Sequence, residues 1–83
     1  AEARNARYRV EKPVRDAIAA TEARIAELER AEREATTALA DPAIYEDFAR
    51  ARVHVETQKK AQAELATLYA EWERLHGELE APP

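Results

Sequence analysis

Residues 37–48, TALADPAIYEDF, decide the fold. The pair Asp41-Pro42 stands between two long stretches that hold almost no other helix breaker. Before it, prolines occur only at position 13, and after it only at positions 82 and 83. Asp is a favoured cap, and Pro at the first position of a helix gives up an N–H that would have no intrahelical partner anyway. The sequence therefore predicts a first helix over residues 13–40, a break at 41–42 and a second helix over 43–80. Residues 1–12 form a basic lead-in arm and 81–83 a tail. A connection this short turns the second helix back along the first. The expected fold is all-α: a two-helix antiparallel coiled-coil hairpin, with the short N-terminal arm packing back on the end of helix two.

The composition agrees with this. The chain has 83 residues, 36% of them charged, with a single Gly and no Cys. Of the 46% that are hydrophobic, twenty residues are Ala, which favours helix but buries little surface. Large aliphatic side chains with Phe and Trp number only fifteen, enough for a narrow seam and too few for a deep globular core. The absence of Cys rules out disulfides and thiolate sites within the chain. No apolar run approaches the roughly 18 residues of a membrane span, and the first residues, AEARNARYRV, lack the apolar stretch of a secretory signal. A cytoplasmic location is the expectation.

Seven-residue periodicity marks the seam. On the first helix Ile18, Ile25, Glu32 and Leu39 recur as one column, and Val14, Thr21, Leu28 and Ala35 as the other, an a/d stripe. Leu65, Leu68, Trp72, Leu75 and Leu79 give the second helix an equally regular stripe. Traced backwards, that stripe reaches Gln58 and Ala51, whereas the bulky residues there are Phe48 and Val55, so the stripe is expected to slip midway. Folding about Asp41-Pro42 then places Leu39 opposite Phe48, Glu32 near Val55, Leu28 near Lys59, Ile25 near Gln62, Ile18 near Tyr69 and Val14 near Trp72. Glu32, Gln58, Lys59 and Gln62 form a polar step in the seam, of the kind that fixes register at some cost in stability. Rise alone gives helices of about 40 and 55 Å. The second overhangs, with Tyr8 and Val10 of the arm expected to cover its Trp72–Leu79 end, and Tyr45 and Phe48 to plug the closed end.

Catalytic chemistry has little to work with. His54 and His76 lie about 33 Å apart by helical rise and cannot share a metal ion. The carboxylates Glu27, Glu29, Glu32 and Glu34 have the spacing of a solvated helix face, and no Gly-rich phosphate loop or nucleophile triad occurs. The chain is thus read as a binding or spacer element, with no catalytic, cofactor or metal residues.

Charge gives the candidate contacts. The net charge of −4 opposes general attraction to phosphate, so any nucleic-acid role rests on local patches. In the first fifteen residues Arg4, Arg7, Arg9, Lys12 and Arg15 face only Glu2 and Glu11, a local charge of +3. Contact with phosphate is one reading. Neutralisation against Glu64, Glu71, Glu73, Glu78 and Glu80 of helix two is the other. Near the turn Arg30, Arg33, Arg50 and Arg52 form a second cluster, interrupted by Glu32, Glu34, Asp41, Glu46 and Asp47. A hairpin that contacts only protein, by itself or in a partner, is the rival to nucleic-acid binding.

The run from Leu39 to Glu80 resembles the C-terminal coiled-coil extension of ABC-F proteins, soluble ATP-binding-cassette ATPases with two nucleotide-binding domains and no membrane domain, in its Uup-like branch. The likeness lies in Leu39-Ala40-Asp41-Pro42 followed by Tyr45, then Leu68-Tyr69 and Trp72-Glu73-x-Leu75. Ile18, Thr21-Glu22, Ile25 and Leu28-Glu29 of the first helix are similar to the family's other hairpin strand. The lead-in RYRVEKPV departs from the Leu-Ser-Tyr-Lys-like start of the Uup-type branch, and the strongly basic character of DNA-binding members is absent. The resemblance implies a parent ATPase holding ATP and Mg in domains other than this one. It also implies a hairpin that contacts ribosomal RNA or branched DNA, modulates those ATPase domains, or both; in isolation the chain is expected to be a monomer or weak dimer.

Overall fold

A computed structural model describes residues 1–80. Helix α1 runs over Glu2–Ala40, a short 3-10 helix over Pro42–Glu46, and helix α2 over Phe48–Glu80. The two long helices lie against each other as a hairpin with extents of 65 × 17 × 15 Å, and no strand occurs among the described residues.

Residues 2–12 are helix, continuous with α1 through Pro13, and not an arm that folds back. The segment is rich in Ala, Arg and Glu, all strong helix formers. Pro13 removes one backbone bond on an exposed face, where water can serve the freed carbonyl. Straightness has a consequence for packing: Tyr8 and Val10, expected against the end of α2, are 62% and 72% exposed. With 39 residues against 33, α1 is also the longer helix, about 58 Å against about 50 Å, so the overhang belongs to α1.

The connection is wider than two residues. Asp41 caps the 3-10 helix, its carboxylate accepting from the Ala43 N–H at 3.0 Å. Asp47 caps α2, accepting from the Arg50 N–H at 3.2 Å. The Tyr45 hydroxyl donates to the Leu39 carbonyl at 2.7 Å, serving an acceptor at the end of α1 that has no partner in its own helix. Tyr45 and Phe48 do not plug the closed end. Both rings are exposed, and Ile44 is the half-buried residue there.

On α1 the inward column is the one the heptads predict, from Val14 through Ile18, Thr21, Ile25, Leu28, Glu32 and Ala35 to Leu39, every member buried or half-buried. Thr21 satisfies its hydroxyl within its own helix, on the Ala17 carbonyl at 2.8 Å. On α2 the stripe does not slip. It continues from Leu75 through Trp72, Leu68, Leu65, Ala61, Gln58 and His54 to Ala51 in unbroken steps of three and four. Phe48 is left 78% exposed. The pairs Leu39–Phe48 and Ile18–Tyr69 therefore do not form, and Tyr69 lies outside the seam, 44% exposed.

The register shifts accordingly. Ile25 and Leu28 pack with Ala61 and Leu65, two to three residues beyond the Lys59 and Gln62 expected opposite them, and Leu68 and Trp72 close over this cluster. Lys59 and Gln62 consequently face solvent, and the polar step shrinks to half-buried Glu32 and Gln58. Gln58 reaches across the hairpin, donating to the Thr36 hydroxyl at 2.9 Å. Alanine holds the tightest places, with Ala35 and Ala61 each only 2% exposed, because a methyl group lets two helix backbones approach without a void.

Candidate nucleic-acid interface

Seam geometry determines where each cation stands. At the open end the a/d column of α1 continues past Val14 into Glu11, Arg7 and Arg4, so the apolar stripe gives way to charge where α2 runs out. Lys12 pairs with Asp16 at 2.7 Å and Arg15 with Glu11 at 3.2 Å, both one turn away on α1. Among the described residues, Arg4, Arg7 and Arg9 form no ion pair. The acidic end of α2 is engaged within its own helix, since Arg74 holds both Glu71 and Glu78. That contact lowers the Glu71 carboxyl below its usual range and raises Arg74. Neutralisation at this end therefore runs along each helix, and the ion pairs described do not join the basic segment to α2.

The single ion pair between helices, among the described residues, lies further in. Arg24 Nε donates to Glu64 at 2.7 Å and its Nη2 to the other carboxylate oxygen at 3.1 Å, while Nη1 reaches Glu27 at 3.0 Å. The hydrogen bond from Arg24 lowers the Glu64 carboxyl, partly offset by desolvation. Arg24 and Glu64 flank the Ile25–Leu65 contact, the place where charged pairs of a coiled coil set partner register.

The near-turn arginines are not gathered into one patch. Arg33 lines a groove with Glu29, Glu32, Thr36, Gln62 and Tyr69. In that groove burial is the main cause raising the Tyr69 hydroxyl, followed by the charge of Glu29 and its hydrogen bond, and then by the charge of Glu32. With two carboxylates beside it, this groove is poorly suited to phosphate. Arg52 lies in a different groove, with Phe48, Val53, Glu56 and Lys60. Arg30 and Arg50 are exposed, and none of the four forms an ion pair among the described residues.

Phe48, Val53 and Lys60 are not among the contacts expected from the sequence. A signal existed: the Leu65–Leu75 column, extended without a slip, passes through Ala51 and leaves Phe48 outside. Its bulk suggested a core residue, but its phase did not. Trp72, read as core, is half-buried and stacks at 4.2 Å, tilted 57°, on the His76 ring. No cluster of metal-ligating side chains occurs among the described residues, and no described helix is long and apolar enough to cross a membrane.

Comparison with known families agrees with this architecture. A family model described as the ABC transporter C-terminal domain matches residues 14–76, starting at the first seam residue of α1 and ending at the His76 that stacks on Trp72. No curated protein and no solved structure matches the chain. The match spans most of the hairpin, and the chain belongs to the ABC transporter C-terminal domain family.

Proposed function

We propose that this hairpin is the accessory C-terminal domain of a soluble ABC-F ATPase and contacts nucleic acid, either ribosomal RNA or branched DNA. ATP and Mg would be held by the ATPase domains of the parent chain, which are the hairpin's natural protein partners and whose turnover it would modulate. The observation carrying this reading is the charge at the open end. Arg4, Arg7 and Arg9 stand on the exposed first turns of α1 and pair with no acid among the described residues, while Lys12 and Arg15 are each shared with one carboxylate. Exposed cations of this kind can reach phosphate without first breaking an internal pair. With a net charge of −4, the binding is weak and strongly salt-dependent. Titrating the chain against a structured RNA and a four-way DNA junction at low and moderate salt tests this. Binding that weakens steeply with salt is the expected result, and no binding at either salt discards the reading.

A second reading, a hairpin that contacts only protein, draws on the acidic end of α2. Glu73 and Glu80 stand there beside the Arg74 cluster without an ion pair among the described residues, a surface suited to a basic partner. Such a hairpin would ignore both nucleic acids and instead self-associate or retain a protein partner.

A further inference from the structure

We infer that the exposed face of α2 next to the turn, where Phe48 lies with Arg52, Val53 and Lys60, is a docking site for single-stranded nucleic acid, with Phe48 stacking on an unpaired base. The inference rests on the nucleic-acid reading above and adds to its open-end cations a second site, next to the turn, for an unpaired strand.

Three observations carry it. First, Phe48 is the most exposed of the large apolar side chains in the hairpin, 78% accessible, yet its backbone is fixed. It opens α2 directly after the Asp47 cap, whose carboxylate takes the Arg50 N–H and whose carbonyl takes the Ala51 N–H at 3.1 Å. The ring is thus presented on a rigid element, which lowers the ordering cost of stacking.

Second, the groove beside the ring holds two cations on the oblique i, i+4 row that starts at Phe48. Arg52 is one turn from Phe48 and Lys60 two turns further, spacings of about 6 and 12 Å along the helix. Third, these cations are uncommitted. Lys12, Arg15, Arg24 and Arg74 each have a carboxylate partner, and none of them stands next to the turn. Arg52 and Lys60 have none among the described residues, although Glu56 lies one turn from each.

The chemistry favours a base over other occupants. Phe48 and Val53 are interrupted by Arg52 and form a patch far smaller than the roughly 800 Å² per partner of a stable protein interface. An acidic peptide would satisfy the cations and leave the aromatic face unused. A nucleotide uses both, its base on the ring and its phosphates on Arg52 and Lys60. A paired, stacked base offers no free face, so the strand is single or locally unpaired. Glu56 opposes phosphate and sets the affinity low.

The test uses the whole 83-residue chain and a labelled oligouridylate of about a dozen nucleotides, beside a blunt duplex of the same length. The single strand is expected to bind more tightly than the duplex. Phe48→Ala weakens its binding by about 5- to 150-fold, whereas Phe48→Trp retains it. Joint Arg52→Gln and Lys60→Gln substitution lowers the slope of log affinity against log salt by about 1.4. Glu56→Gln tightens binding. All four positions are solvent-facing, and circular dichroism confirms that each variant keeps its helices. If Phe48→Ala binds the oligouridylate as tightly as the parent chain does while the parent still binds RNA or the DNA junction, the site is elsewhere and this inference fails while the general reading stands. If the parent chain binds no nucleic acid at all, both fail. If Phe48→Ala instead abolishes self-association seen in sedimentation, the face belongs to a second copy and the inference is overturned.

Discussion

Arg24 and Glu64, forty positions apart in sequence, meet side by side through two hydrogen bonds, from Nε at 2.7 Å and from Nη2 at 3.1 Å. This contact ties the two helices beside their main apolar cluster of Ile25, Leu28, Ala61 and Leu65. Its direction of charge also selects the register, because sliding α2 by a few residues would bring Lys59 or Lys60 toward Arg24 instead.

The pair makes the hairpin sensitive to acid. Since the folded Glu64 carboxyl titrates below its ordinary value, its contribution is complete above about pH 4.3, the unfolded value, and is lost as pH falls through the lowered folded value. Thermal melts followed by circular dichroism should show the melting temperature falling below that pH. Glu64→Gln should melt lower than the parent at neutral pH and flatten part of the acid dependence. Both partners are substantially exposed, so added salt should shrink the difference. An unchanged acid profile in the variant would remove this account.

Ala61 and Ala35 set how closely the helices approach. Ala61→Leu forces a larger side chain into a place only 2% exposed and should cost about 1–3 kcal/mol in urea denaturation. Ala63→Leu, on the solvent face two residues away, should be nearly neutral. Equal effects at the two positions would mean that the seam does not run through Ala61.

Asp47 starts α2 by accepting the Arg50 N–H. Replacing it with Ala should cost about 1 kcal/mol, read from the shift in the urea midpoint, with Asn retaining most of the cap. Loss of the cap also loosens the presentation of Phe48, so Asp47→Ala should weaken oligouridylate binding although it removes a negative charge. Tighter binding would show that charge, and not the rigid start of the helix, governs that surface.

Residues 2–12 form helix that is exposed at every position but Glu11 among the described residues, and Pro13 interrupts its bonding to the rest of α1. Amide hydrogen exchange should therefore be much faster there than between Val14 and Leu39. Pro13→Ala should slow it and raise helicity, with a stabilising limit of about 3 kcal/mol. Protection of residues 2–12 equal to that of the seam in the parent chain would point to a partner covering them.

Much of this molecule was legible without tertiary information. The break at Asp41-Pro42, two helices and the whole inward column of α1 follow from local chemistry, because capping, proline geometry and seven-residue spacing are properties of neighbouring residues. The expected arm fails for a local reason as well: Pro13 suits a helix start, but an exposed helix of Ala, Arg and Glu tolerates one missing bond.

What the helices do to each other was not legible in this way. The expected slip of the α2 stripe came from weighing Phe48 and Val55 by size, but a helix surface is ordered by phase, and the cluster of Ile25, Leu28, Ala61 and Leu65 holds the phase of the whole of α2. The seven residues from Asp41 to Asp47, twice capped, then shift the register that a two-residue turn would have given. Only that register decides that Ile25 and Leu28 meet Ala61 and Leu65, that Arg24 reaches Glu64, and that Tyr69 stands beside Glu29. Periodicity along one chain names the face a helix will bury. The face it leaves bare near a turn depends on where its partner stops covering it, and that is fixed by contacts between residues far apart in sequence.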